Sequence, residues 1–171
     1  VTTCLAAAAG GVSSAIFSNI LYKNFDLTMF MNGVLGGLVG ITAGADQMSP
    51  MDAVFIGIIA GIIIVLGISL IDKLKLDDPV GAVAVHLICG IWGTLAVGIF
   101  GAMAGVDQFL IQLAGVGIVG AFCVICSFIL LYIVKILSGG SIRVEKEEEL
   151  KGLDLAEHGM DAYADFRLNQ H

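Results

Sequence analysis

Charged residues are scarce in this chain. They make up 13% of its 171 residues, whereas 58% are hydrophobic, and the mean hydropathy is +0.99. A water-soluble domain carries about a quarter charged residues, so the composition argues against a water-soluble globular protein. Eight of the fifteen Asp and Glu residues lie within 143–171. The chain is therefore an apolar body followed by a short acidic tail.

Long apolar stretches recur along the body. About 20 apolar residues suffice to cross a bilayer, and short polar breaks divide the body into five such stretches. The sequence predicts an all-α membrane protein with five transmembrane helices, a transmembrane region at residues 1–138 and a cytoplasmic C-terminal tail at residues 139–171. The predicted spans are residues 3–22, 27–45, 51–71, 79–103 and 109–137.

The basic residues indicate how the chain is oriented. With five crossings, the loops that carry Lys23, Lys73 and Lys75 lie on the same side as the tail, so all eight Lys and Arg residues share one side. Basic segments stay in the cytoplasm. We therefore expect a multi-pass protein of the cell membrane, with the N-terminus of this segment outside and the tail inside.

The first residues of the chain lack the features of a membrane protein's natural N-terminus. It opens without Met or a basic segment, and its first residues already belong to a span. A signal peptide needs a charged start and a cleavage site. An odd number of spans that begins in mid-pattern is typical of the C-terminal portion of a longer protein, so we expect an N-terminal half that this chain does not include.

Only one histidine lies within the predicted spans. His86 follows Asp78 by eight residues in an otherwise uncharged run, which places it ~12 Å along a helix that rises ~1.5 Å per residue. That depth is near the middle of a bilayer core ~30 Å thick, where a titratable side chain is costly and is by default a functional candidate. The residues alone leave three interpretations open: a core histidine, a pore or transport site, and a haem or metal ligand.

Metal and redox chemistry have little support in the sequence. Cys123 and Cys126 have the spacing of a redox motif, but they lie within a span and lack the βαβ context of such a motif. The other histidines, His158 and His171, belong to the tail, and two ligands from one helix do not close a metal site. We therefore expect no cofactor, no metal and no enzymatic activity.

The start of the fourth predicted span has its own signals. Asp78 precedes a proline, which is favourable at a first helical position, and its carboxylate suits the free N–H groups and positive dipole of a helix start. Gly90 and Gly93 are predicted to share a helical face with Ala82 and His86. Small residues around the imidazole indicate either a tight helix contact or a narrow lumen.

Three segments resemble the ammonium transporter family. They are residues 32–46 (NGVLGGLVGITAGAD), residues 77–93 (DDPVGAVAVHLICGIWG) and residues 152–163 of the tail (GLDLAEHGMDAY). The family has eleven spans, ten of them in two inverted five-helix repeats. The resemblance implies that this chain corresponds to the seventh to the eleventh span of such a transporter.

The resemblance also implies roles for single residues. His86 matches the second of two histidines that line a hydrophobic pore, Ala82 matches another pore-facing position, and Asp78 matches the acidic residue that starts the tenth helix. Cys4 departs from the polar residue expected near the start of the seventh helix. The tail positions that match a regulatory motif docking on the cytoplasmic face are Gly152, Asp154, His158, Gly159 and Tyr163.

The implied activity is transport of ammonium or ammonia through a His-lined pore. The implied partners are the substrate, the lipid bilayer, the N-terminal half, two further copies in a homotrimer and a PII-type signal protein; no nucleic acid is expected. The alternatives are an ammonium sensor, an Rh-type ammonia or gas channel and, in another class, a membrane-embedded structural or electron-transfer subunit.

Overall fold

The computed structural model describes residues 1–162, and every regular element in this part of the chain is a helix. The chain divides into two compact units, residues 1–120 and the residues from 121 onward. The all-α prediction is thereby confirmed for the described residues. The elements are α1 (Thr2–Tyr22), α2 (Leu27–Thr42), α3 (Pro50–Lys73), a π-helix (Val83–Ile88), α4 (Cys89–Ala96), α5 (Val106–Leu137), α6 (Lys146–Lys151) and α7 (Leu153–His158).

Polar residues set where the central helices begin. The Asp26 carboxylate accepts a hydrogen bond from the N–H of Met29, 3.0 Å away, at the start of α2. At the start of α3, the Ser49 hydroxyl accepts from the N–H of Asp52 (3.2 Å), and the Asp52 carboxylate accepts from the N–H of Ser49 (3.0 Å). These bonds satisfy N–H groups that a helix start would otherwise leave without partners.

Glycines bring the helices of the first unit into backbone contact. A Cβ atom at Gly37 on α2, or at Gly57 on α3, would collide with the carbonyl oxygen of Ala6 on α1. The Ser13 hydroxyl of α1 also donates to the carbonyl oxygen of Ile58 on α3, 3.0 Å away. In lipid, where apolar burial gives little drive for association, such close approach is what holds helices together.

Two of the predicted helices are shorter in the structure. The three helices α1, α3 and α5 are long and apolar enough to cross a membrane, whereas α2 and the helical stretch 83–96 are shorter. Within the predicted spans 27–45 and 79–103, the structure is helical over residues 27–42 and 83–96. A series of turns replaces helix after Thr42. The fourth stretch is preceded by Gly81, whose φ is +72°, and it ends at Ala96. Positive φ interrupts a right-handed helix.

The last long helix is α5, which has 32 residues and none of them buried. At ~1.5 Å per residue its length is ~48 Å, more than the ~30 Å core of a bilayer. The long apolar run predicted at 109–137 is therefore present and begins three residues earlier. The boundary between the two compact units falls within this helix.

Candidate functional site

His86 lies on the exposed side of the π-helix. Its neighbours Ala82, Val83 and Leu87 are exposed as well, whereas Ala84 and Val85 are buried at 0% and 1% exposure. Among residues 1–162, the imidazole of His86 makes no hydrogen bond. The imidazole therefore stands on an open face that is otherwise apolar, and not in the core of this unit.

The π-helix is the feature that sequence reasoning missed. A π turn bonds residue i to i+5, is rare, and is frequently found at functional sites. The wider turn changes which residues share a face with His86. Gly93 is buried, where a Cβ would collide with the Gly40 carbonyl oxygen, while Gly90 is half-buried, and a Cβ there would meet only Val39 Cγ1 at 3.9 Å. The prediction that Gly93 shares the His86 face was wrong, because it assumed uniform α-helical spacing.

Asp78 holds the start of the helix that carries His86. Its Oδ1 accepts from the N–H of Ala82 (2.8 Å), and its Oδ2 accepts from the N–H of Val83 (3.0 Å). These bonds satisfy N–H groups at the start of the helix, although Asp78 lies before the N-cap residue, Ala82. The predicted position of the helix start was wrong, however: Pro79 lies in a turn, and the helix begins only after Gly81.

Packing behind the exposed face fixes the His86 helix in place. The buried residues Ala84, Val85 and Cys89 form a core cluster with Ala60 and Ile64 of α3. One turn further, the Trp92 indole N–H donates to the carbonyl oxygen of Ile56, 3.2 Å away. The imidazole is therefore presented by a helix whose opposite face is anchored to α3.

The described tail residues form a short capped helix, α7. Gly152 (φ +93°) precedes it, and Gly159 (φ +65°) ends it. The N–H of Met160 donates to the carbonyl oxygen of Asp154 (3.3 Å), and the Asp154 carboxylate accepts from the N–H of Ala162 (2.9 Å). These bonds fold the chain back on the helix end, which a left-handed glycine makes possible. His158 is exposed in the last turn, and the predicted residue Tyr163 lies outside the described residues.

Arg143 and Glu149 form an ion pair in the segment that precedes α7. Arg143 donates from Nη2 to Glu149 Oε1 (2.6 Å) and Oε2 (2.9 Å), and from Nε to Oε2 (3.2 Å). The hydrogen bonds from Arg143, and then its charge, hold the pKa of Glu149 below its ordinary value, and Glu149 raises the pKa of Arg143 in turn. Both side chains are exposed. The acidic run at residues 145–149 gives no sign of this pairing in the sequence alone.

Among residues 1–162, no group of three or more His, Cys, Asp or Glu side chains is placed to hold a metal ion. The thiol of Cys89 is buried and lies 3.7 Å from the carbonyl oxygen of Ala60, to which it donates. His86 and Cys89 are thus on opposite faces of the helix. The chemistry available at the exposed face is that of a single imidazole among apolar side chains.

Residues 1–163 match the Ammonium Transporter Family. The chain belongs to this family. A relative from Synechocystis sp. is 44% identical over 161 residues, which cover 93% of this chain and 36% of the relative. Ammonium transporter Amt2 of Methanocaldococcus jannaschii is 39% identical over 170 residues, covering 95% of this chain and 38% of the relative. The family resemblance drawn from the three motifs is thereby confirmed.

A solved structure described as a sensor Amt protein superposes with a TM-score of 0.85. It is 35% identical and covers 91% of this chain and 40% of that one. The fold of this chain is therefore that of part of an Amt protein, and its apolar helices are those of a multi-pass membrane protein. The chain spans about two fifths of the length of the relatives that it matches.

Proposed function

We propose that this chain is the C-terminal portion of an ammonium transporter and that His86 lines its conduction path, with Ala82 beside it. The observation that carries the proposal is the exposed imidazole on an apolar, anchored helix face of a family member. A lone titratable side chain facing lipid would be heavily penalised, whereas the same side chain facing a narrow path is useful.

The apolar surroundings of His86 suit the transport of neutral ammonia. Ammonium has the same charge as potassium and nearly the same size, so a path that selects by radius alone would not separate the two ions. Loss of the proton before entry avoids the cost of a bare cation in a low-dielectric lumen. An imidazole can accept or donate one hydrogen bond and can relay a proton. Val83 and Leu87, exposed beside it, would keep water out.

An N-terminal half would complete the path. We propose that it covers the His86 face, that the transmembrane region is residues 1–138 in five crossings, and that the segment's N-terminus is outside. The complete protein would assemble as a homotrimer, as the family resemblance implies. The tail at 139–171 would lie in the cytoplasm, where Leu153, Leu155 and Met160 are exposed and available to dock on its own membrane domain or to meet a PII-type protein.

The test is substitution of His86 in the complete transporter. We expect His86→Glu to leave expression and trimer assembly largely intact, because the side chain is outside the core of the first unit. We also expect it to change the uptake rate or the selectivity among monovalent cations. Uptake of labelled methylammonium and competition by potassium measure both. If His86→Glu prevents folding while His86→Gln transports normally, the imidazole is structural and the proposal is wrong.

An ammonium sensor is a second candidate, favoured by the sensor Amt structure with a TM-score of 0.85. A sensor would bind ammonium at the same site without conducting it. Purified protein in sealed vesicles separates the two functions, since a transporter alkalinises or acidifies the vesicle interior when an ammonium gradient is applied. If ammonium slows amide hydrogen exchange in the tail while no ammonium flux across the vesicle membrane is detected, the protein acts as a sensor.

A further inference from the structure

Asn32 is a polar side chain inside the apolar interior of the first unit. It lies on α2 and is 5% exposed, and its amide nitrogen has no hydrogen-bond partner among residues 1–162. A buried amide without a partner is costly in apolar surroundings. An apolar side chain of similar size would fill the same space more cheaply, so the amide has a role other than filling space.

The amide of Asn32 lies against Gly81. A Cβ atom at Gly81 would be 2.7 Å from Nδ2 and 3.4 Å from Cγ of Asn32. Gly81 also has a φ of +72°, which residues with a side chain rarely adopt. Two separate constraints therefore require glycine at the point where α2 meets the chain that leads to His86.

Gly81 is the residue from which the His86 helix starts. Its N–H donates to the carbonyl oxygen of Asp78 (3.1 Å), and its own carbonyl oxygen accepts from the N–H of Val85 (2.9 Å). The Asp78 carboxylate caps the two residues that follow Gly81. Any shift of Gly81 therefore moves the first turn of the π-helix, and with it the imidazole five residues further along.

We infer that Asn32 is a positioning residue for His86; the inference rests on the proposed function. Its amide group packs against Gly81 and fixes where the π-helix starts, and hence where the imidazole stands along the path.

The experiment uses the complete transporter with Asn32→Leu and Asn32→Asp, each compared at equal amounts of folded protein. We expect the maximal methylammonium uptake rate to fall about tenfold, less than the ~100-fold loss that a misplacement of ~1 Å can cause at a reacting centre, with the KM little changed. Ser18→Ala is the matched control. Ser18 is another buried polar residue, but its hydroxyl donates only to its own helix, at the Ala15 carbonyl oxygen, so uptake should equal that of the unsubstituted protein.

A double substitution separates positioning from general support of the fold. If Asn32 acts through the imidazole, Asn32→Leu should cost little further activity in a His86→Glu background, since coupled residues are not additive. If the losses of uptake caused by the two substitutions are additive, or if both Asn32 variants take up methylammonium normally, the inference about Asn32 is wrong, while the proposed function is unaffected. Absence of ammonium-dependent uptake by the unsubstituted transporter would refute the proposed function and this inference with it.

Discussion

Gly93 of α4 and Gly40 of α2 meet backbone to backbone: a Cβ atom at Gly93 would lie 2.9 Å from the Cα of Gly40. Backbone atoms cannot move aside as a flexible side chain can, so added volume must push the two helices apart. The helix that carries His86 is therefore held to α2 by an interface that only glycine fits.

We predict that Gly93→Ala destabilises the complete transporter, whereas Gly90→Ala does not. The first adds a methyl group to a closed contact, which typically costs ~1–3 kcal/mol, and the second meets only Val39 at 3.9 Å. Thermal melting in detergent, followed by size-exclusion chromatography, measures the difference. Equal melting temperatures for the two variants would show that the Gly40–Gly93 contact does not determine the stability of the transporter.

Much of the fold could be predicted because its signals are local. The start of α3 falls at Pro50 between Ser49 and Asp52, a pattern that predicts a helix start from sequence alone. The end of α2 was less predictable, because the helix gives way to turns after Thr42 although no residue there has a positive φ. Nothing in the composition of residues 83–88 distinguishes a π turn from an α turn, because the choice depends on how the two ends of the helix are held.

The candidate site was predictable in part for the same reason. A titratable residue in a long uncharged run is visible in the sequence, which is why His86 and Asp78 could be singled out. The contact between Asn32 and Gly81 joins residues 49 positions apart and depends on packing. No spacing rule connects such residues, so only the structure reveals that the amide touches the start of the His86 helix.

We predict that residues 1–171 alone do not support ammonium-dependent growth. The face with His86 is open in this chain, and a path with one open side would expose the imidazole to lipid. The measurement is growth of a transport-deficient host on low ammonium, with the complete transporter as the positive control and immunoblotting of membranes to verify insertion. Full rescue by residues 1–171 would show that the chain is sufficient by itself.

We predict that truncation of the complete transporter after Ser141 lowers ammonium uptake and abolishes binding of the host's PII-type protein. The truncation removes α6 and α7, with their exposed Leu153 and Met160, and leaves α5 intact. A docked tail can couple neighbouring protomers only while it is present. Trimer assembly of the truncated form is the control for folding; unchanged uptake together with unchanged PII binding would show the tail to be dispensable.

The ion pair between Arg143 and Glu149 gives the last prediction, which concerns pH. Because the pKa of Glu149 is lowered in the folded tail, the pairing contributes fully above the ordinary carboxyl pKa. That contribution is lost as the pH falls through the depressed value. Amide hydrogen exchange of residues 141–151 in the complete protein should therefore be insensitive to the pairing in strong acid and slowed by it at neutral pH.

Glu149→Gln is the variant that tests this pairing. At neutral pH it should accelerate exchange only about two- to five-fold, as expected of a solvent-exposed pair, and added salt should narrow the difference. Glu147→Gln is the matched control, since it removes the same charge from α6 without touching the bidentate contact to Arg143. Exchange that is equally fast in both variants would mean that the charge of the acidic run matters and that the pairing does not.

The charge-swapped double variant Arg143→Glu with Glu149→Arg should restore slow exchange, because it reverses the pair while keeping the net charge of the tail.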